Sequence, residues 1–194
     1  MGSLATGSLK MPKLIDKFGR EINYLRISIT EHCNYRCFYC RDDEHTPNCK
    51  REDILSYEDI QRIVRLFAEL GISKVRLTGG EPLLRRGIVK IARLISSIDG
   101  IKDVPLSTNA HLLEKFAPKL HENGINRVNI SIDSLMPNRF KEITRGGDVN
   151  EVIKGIDAAI ASGMHPIKIN MVVMRGNNDN EIESMIDFAI EKGI

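Results

Sequence analysis

Tyr24-Leu25-Arg26-Ile27-Ser28-Ile29-Thr30-Glu31-His32-Cys33-Asn34-Tyr35-Arg36-Cys37-Phe38-Tyr39-Cys40 joins a two-faced strand to a cysteine-rich loop. The run from Ile22 to Thr30 reads as a strand in which Leu25, Ile27 and Ile29 share one face. Arg26, Ser28 and Thr30 share the other, because successive side chains of a strand point to opposite faces. The three thiols that follow, Cys33, Cys37 and Cys40, lie within eight residues of one another. Soft ligands packed that closely can grip one metal centre from a single loop. An ordinary iron–sulfur cluster held entirely by thiolates expects a fourth Cys, so three leave one position open for a small molecule.

Outward from this stretch, strand and helix alternate. Helices are expected at Ser56 to Leu70 (stripe Ile60, Ile63, Val64, Phe67, Leu70), Arg86 to Ser97 and Leu112 to Glu122. More follow at Asn138 to Ile143, Val149 to Ala161 and Asn180 to Lys192. Ser56 suits an N-cap, and Gly71, Gly163 and Gly193 suit helix ends. Strands are expected at Lys74 to Thr78, Val104 to Thr108, Arg127 to Asp133 and Pro166 to Met174. Such alternation means parallel strands with right-handed crossovers, in either a doubly wound sheet or a (β/α) barrel. No Gly-x-Gly-x-x-Gly follows the first strand, as a dinucleotide fold wants.

The strand faces decide between them. Lys74, Arg76 and Thr78 oppose Val75 and Leu77. Arg127, Asn129, Ser131 and Asp133 oppose Val128, Ile130 and Ile132, and Lys168 and Asn170 oppose Ile167, Ile169 and Met171. A parallel strand buried on both faces is nearly all apolar. These strands keep one polar face each, which predicts an α/β fold of the open, partial TIM-like (β/α) barrel type with a wet concave side. Functional residues then belong at the C-terminal strand ends, where the Cys loop and Gly79-Gly80-Glu81-Pro82 fall.

Composition sets outer bounds. The 194 residues are 42% hydrophobic and 28% charged, with a net charge of +2. That charge argues against a dedicated nucleic-acid surface, and no apolar run approaches the ~18 residues of a membrane span. Met1 to Lys10 is rich in Gly, Ser and Thr and lacks a signal-peptide core, so a flexible leader over 1–15 and a cytoplasmic location are expected. Clustered Cys in that compartment mean metal or redox chemistry more often than disulfides.

On the residues alone several readings stand side by side. Cys33, Cys37 and Cys40 fit an iron–sulfur cluster, or zinc with Cys49 as fourth ligand; Cys37 and Cys40 also have the spacing of a redox pair. Gly79-Gly80 lets a ligand approach the backbone, and Glu81 could accept from an ammonium group, or the whole could be a tight turn. Tyr39 either flanks a ligand or packs beside the loop. Arg26, Arg76 and Lys168 need partners on the polar face: carboxylates such as Glu81 and Asp133, solvent, or an anionic ligand. His32 and His45 read as solvated, and His111 and His121 as capping or surface residues.

The Cys-x3-Cys-x2-Cys loop with Tyr39 before its last Cys resembles the radical S-adenosylmethionine (SAM) enzymes. Asp16-Lys17-Phe18-Gly19-Arg20, Asn129-Ile130-Ser131-Ile132-Asp133-Ser134-Leu135 and Lys168-Ile169-Asn170-Met171-Val172-Val173-Met174-Arg175-Gly176 narrow the likeness to the GTP 3',8-cyclase family. The resemblance implies a lyase of molybdenum cofactor biosynthesis. It converts GTP and SAM to 3',8-cyclo-7,8-dihydro-GTP, 5'-deoxyadenosine and methionine. It implies that Cys33, Cys37 and Cys40 bind a 4Fe–4S cluster with one open iron, and that Tyr39, Gly80 and Ser131 lie against SAM. Arg26, Arg76, Ser107 and Lys168 then bind GTP, and no side chain acts as a general base. An electron donor to the cluster and a homodimer are further implications. Another radical SAM enzyme on the same barrel, for instance one acting on a peptide, remains the alternative. The family has six βα units and a second cluster bound by a later segment. Residues 16–194 are therefore expected to hold a core that stops before the sixth unit. Two departures stand out: Ser107 where the family has Thr, and Ala110 where it has Gly.

Overall fold

The protein's structure, a computed structural model, describes residues 13–40 and 53–194. Five strands, β1 (Tyr24–Ser28), β2 (Lys74–Thr78), β3 (Leu106–Thr108), β4 (Val128–Ser131) and β5 (Ile167–Asn170), form one sheet in the order β1-β2-β3-β4-β5. All four pairings are parallel. Sequential order with crossovers of one hand puts every helix on the same face. A doubly wound sheet reverses direction instead and covers both faces. The expected open, partial barrel is therefore the architecture found.

Six helices cover the apolar face: α1 (Tyr57–Glu69), α2 (Ile88–Ser96), α3 (Leu113–Glu122), α4 (Pro137–Thr144), α5 (Val149–Ala161) and α6 (Ile182–Lys192). Ile27, Leu77, Leu106, Val128, Ile130 and Ile167 lie beneath them, each under a tenth exposed. The Ser56 cap is a reciprocal capping box: Asp59 N donates to Ser56 Oγ at 3.0 Å, and Ser56 N donates to Asp59 Oδ2 at 3.1 Å. α3 runs through Pro118. The opposite face of the sheet carries Arg26, Ser28, Ser131, Lys168 and Asn170, all exposed.

Strands are shorter than the sequence pattern suggests, for a common reason. β1 ends at Ser28 and β4 at Ser131, and beyond them Thr30 and Asp133 are covered by neighbouring chain: both are buried. α2 begins two residues later than expected. Glu81 caps a single 3-10 turn, Pro82–Leu84, and Gly87 takes a left-handed φ of 75° against the Tyr57 ring. At the other end, residues 13–15 of the expected leader are engaged, with Leu14 N donating to Leu70 O and Ile15 bridging Glu21.

α3 and α5 meet at Gly155, where a Cβ would lie 2.4 Å from Ala110 O and 3.1 Å from Leu113 Cβ. Helix propensity alone favours Ala over Gly by about 1 kcal/mol. Here the backbone approach outweighs it. Gly155→Ala is expected to destabilise the fold by roughly 1–3 kcal/mol, as overpacking does. A higher thermal melting temperature for this variant contradicts the packing described.

Candidate functional site at the C-terminal ends of the strands

The Cys loop begins where two backbones touch. Gly80 N donates to Thr30 O at 2.7 Å and Glu81 N to His32 O at 2.7 Å, so β1–β2 pairing continues past both strand ends. A Cβ on Gly79 would stand 2.3 Å from Thr30 O, and one on Gly80 would stand 2.4 Å from His32 O. The glycine pair thus seats the base of the Cys loop, and the Gly80 and Glu81 N–H groups are spent on it. The loop then crosses to α4, where Arg36 N donates to Thr144 O and Phe38 N to Ile143 O, both at 3.1 Å. Tyr35 anchors it from beneath, packed edge-on against Phe140 and His111, with its hydroxyl 3.2 Å from His111 Nδ1. His111 is therefore a partner of the loop and not a helix cap.

Cys33 and Cys37 are half-buried and Cys40 is exposed. Cys33 Sγ accepts from Tyr35 N at 3.4 Å, and Cys40 N donates to Cys37 O at 2.9 Å, closing a turn around the last two thiols. Burial, and then the negative charge of Asp133 and the neighbouring thiols, pushes the Cys37 thiol up to about 11. A bound metal reverses this by holding the thiolate. The donor set fits an iron–sulfur group: three soft sulfurs on one loop, with a coordination position left over. Among the described residues no three His, Cys, Asp or Glu side chains form a ready-made site for one ion. Cys49 and His45 lie outside the described residues. His32 is exposed.

Hydrogen bonds stitch the rim together. Glu81, fully buried, accepts from Leu83 N at 3.0 Å, Thr108 Oγ1 at 2.7 Å and Asn109 N at 2.7 Å. Both of its oxygens are occupied, so it shapes two adjacent turns where the sequence suggested an ammonium acceptor. Asn109 Nδ2 donates to Asn34 Oδ1 at 2.9 Å, closing the circuit back to the Cys loop. Ala110 takes a φ of 60° in that turn, a left-handed conformation that glycine adopts at no steric cost. Tyr39 Oη donates to Asp133 Oδ2 at 2.6 Å, and Val172 N donates to Asp133 Oδ1 at 2.9 Å. Asp133 thereby joins the Cys loop to the end of β5. Nothing local to Asp133 signals this role, because its partners lie 94 and 39 residues away.

Below the rim, Arg26 and Arg76 are direct neighbours on β1 and β2. Arg76 Nη1 donates to Ser107 Oγ at 3.4 Å, and its guanidinium stacks over Tyr24 at 5.6 Å. Its Nε is buried with no partner among the described residues. Lys74 and Arg127 share Asp103 at the other end of the face. Burial, and then the Arg127 charge, lowers the Lys74 pKa. No described carboxylate pairs with Arg26, Arg76 or Lys168; Glu81 and Asp133 are engaged elsewhere. Ser131 and Asn170 form the next row towards the rim. A separate cavity of about 600 Å³ borders the base of the Cys loop at Thr30 and His32, lined also by Tyr57, Arg85 and Arg86. The cations of the sheet face do not line it.

The profile of the Radical SAM superfamily matches residues 27–189. The chain belongs to the radical SAM superfamily, and the 4Fe–4S cluster and SAM expected from its sequence are that family's cofactors. It is similar to the GTP 3',8-cyclase of Hydrogenovibrio crunogenus, 50% identical over 182 residues, covering 93% of this chain and 55% of the relative. The GTP 3',8-cyclase of Alkaliphilus metalliredigens is 49% identical over 179 residues, covering 92% of this chain and 56% of the relative. The chain therefore spans little more than half the length of these curated relatives. Among solved structures, Streptococcus suis SuiB bound to precursor peptide SuiA superposes with a TM-score of 0.73 at 23% identity, covering 89% of this chain and 37% of that one. At that identity the likeness speaks to the fold.

Glu81 gives this rim a pH signature. Burial raises its pKa above the ordinary 4.5, against the pull of its three hydrogen bonds. A carboxyl that holds its proton more tightly when folded contributes stability below its ordinary pKa and loses it as pH rises through the raised value. Glu81→Gln is expected to lose roughly 1–3 kcal/mol through an unmatched donor. Its deficit relative to the wild type should shrink as pH rises from 4.5. Denaturant unfolding at a series of pH values measures this; a deficit that widens over that range contradicts it.

Proposed function

We propose that this chain is the radical SAM core of a GTP 3',8-cyclase of molybdenum cofactor biosynthesis, a lyase acting on GTP and SAM. The observation that carries the reading is the set of cations without carboxylate partners on the open sheet face, below a three-thiol loop. Arg26, Arg76 and Lys168 supply positive charge to a triphosphate, and the unpartnered Arg76 Nε marks a donor waiting for an acceptor. Ser107, already within reach of Arg76, adds a hydroxyl. The similarity to curated cyclases at about half identity supports the same reading.

Cys33, Cys37 and Cys40 would hold the cluster, which when bound supplies the single electron for reductive cleavage of SAM. The protein's own residues orient the reactants. Tyr39, held by Asp133, presents a ring beside the last two thiols; Gly80 keeps the turn thin; Ser131 offers a hydroxyl at the end of β4. None of these groups has to move a proton, and exclusion of water and fixed distances are what they contribute.

On this reading residues 16–194 form the core, residues 1–15 precede it, and the family's second cluster has no ligands within the sequence, whose last Cys is Cys49. A cytoplasmic location, an electron donor to the cluster and a homodimer belong to the same proposal. No helix among the described residues is long and apolar enough to cross a membrane.

Arg76 separates binding from stability. A buried, unpaired Nε on a half-buried guanidinium costs the fold, whereas a charge-assisted contact to phosphate adds about 1.5–3 kcal/mol. Arg76→Met is therefore expected to leave the melting temperature unchanged or raised while weakening GTP binding roughly tenfold to a hundredfold. Calorimetric titration with GTP checks this. Undiminished GTP affinity in the variant, or none in the wild type, rules the proposal out.

A further inference from the structure

Ser107, Asn129 and Lys168 are direct neighbours across β3, β4 and β5. The contact from Arg76 to Ser107 fixes their shared side as the polar face. Adjacent strands lie about 4.8 Å apart, which separates Ser107 from Lys168 by roughly 10 Å with Asn129 between them. Any single ligand that reaches both must cross Asn129. Its side chain is half-buried on the open face, and its carboxamide makes no hydrogen bond to another described residue. In the middle of a ligand-facing row that leaves its donors and acceptor free for solvent or for a ligand.

Resting on the cyclase reading above, we propose that Asn129 is a further substrate-contacting residue whose carboxamide takes a ribose hydroxyl of the nucleotide. Chemistry separates it from its neighbours. Arg26, Arg76 and Lys168 donate only, which suits phosphate oxygens that accept only. A carboxamide both donates and accepts, as a hydroxyl does, so the pair can exchange two complementary interactions. Against a phosphate oxygen its carbonyl faces negative charge. Position agrees. Arg26 and Arg76 lie one row further from the Cys loop than Asn129, and Ser131 lies one row nearer. A nucleotide with its outer phosphates on Arg26 and Arg76 brings its ribose to the middle row, where Lys168, beside Asn129, reaches the phosphate nearest the ribose.

The test is equilibrium binding of GTP, 2'-deoxy-GTP and 3'-deoxy-GTP to the 194-residue chain, as wild type, Asn129→Ala and Asn129→Asp. The wild type is expected to prefer GTP over one deoxy analogue roughly tenfold, the size of one well-made hydrogen bond. Asn129→Ala should lose that preference by weakening GTP and leaving that analogue unchanged. The near-isosteric Asn129→Asp, whose carboxylate stands beside Lys168, should weaken all three triphosphates. Equal GTP affinity in the wild type and Asn129→Ala overturns the proposal. So does an equal loss for GTP and both analogues in Asn129→Ala, or unchanged binding by Asn129→Asp. A wild type that binds no GTP overturns the cyclase reading beneath it. A wild type whose GTP binding needs Arg76 but ignores position 129 overturns the asparagine alone.

Discussion

The backbone of Gly79-Gly80 lies so close to Thr30 and His32 that neither glycine could carry a side chain. That approach lets two further hydrogen bonds extend the β1–β2 ladder, and Cys33 follows directly from its end. The rest of the rim depends on it. Glu81 carries the connection to the turn after β3, Asn109 returns it to Asn34, and Asp133 ties Tyr39 to the end of β5. Each bond contributes about 1 kcal/mol on its own. As a closed circuit they restrict a loop that would otherwise hang free beyond a strand of five residues.

The sheet beneath is built in two halves with opposite priorities. Its helix-covered face is continuous Ile, Leu and Val, and supplies the stability. Its open face keeps cations together at some cost to the fold. Asp103 neutralises Lys74 and Arg127 at the end remote from the Cys loop. Arg26, Arg76 and Lys168 are left without that relief. Arg26 and Lys168 are exposed to solvent, and the buried, unpaired Arg76 Nε is the feature in which this fold departs from its own stability rules in favour of a ligand. Membership of the radical SAM superfamily gives that departure a context.

Much of this was legible in the sequence, because it rests on period-two alternation and local spacing. The polar-apolar pattern of Arg26 to Ile29 and Asn129 to Ile132 is enough to imply a one-sided sheet, and the thiol loop and glycine pair fall at its C-terminal edge. What was not legible depends on distant partners. Glu81 reads as a ligand acceptor until Thr108 and Asn109 are seen to fill it. Asp133 reads as a possible partner for the cations until it is found buried against Tyr39 and Val172. Alternation in the sequence runs on to Thr30 and Asp133, whereas β1 and β4 end at Ser28 and Ser131 and both later residues are covered by distant chain. His111 reads as a cap near a helix start, and only the fold brings Tyr35 to it.

The proposed chemistry follows from a cluster on the Cys loop with an open position above a cation-lined face. Anaerobic reconstitution with iron and sulfide, followed by electron paramagnetic resonance of the reduced protein with and without SAM, tests it most directly. A reduced 4Fe–4S signal is expected that SAM shifts and that is lost when Cys33, Cys37 or Cys40 is replaced by Ser. A protein that takes up one zinc in place of iron, or a cluster signal indifferent to SAM, contradicts it.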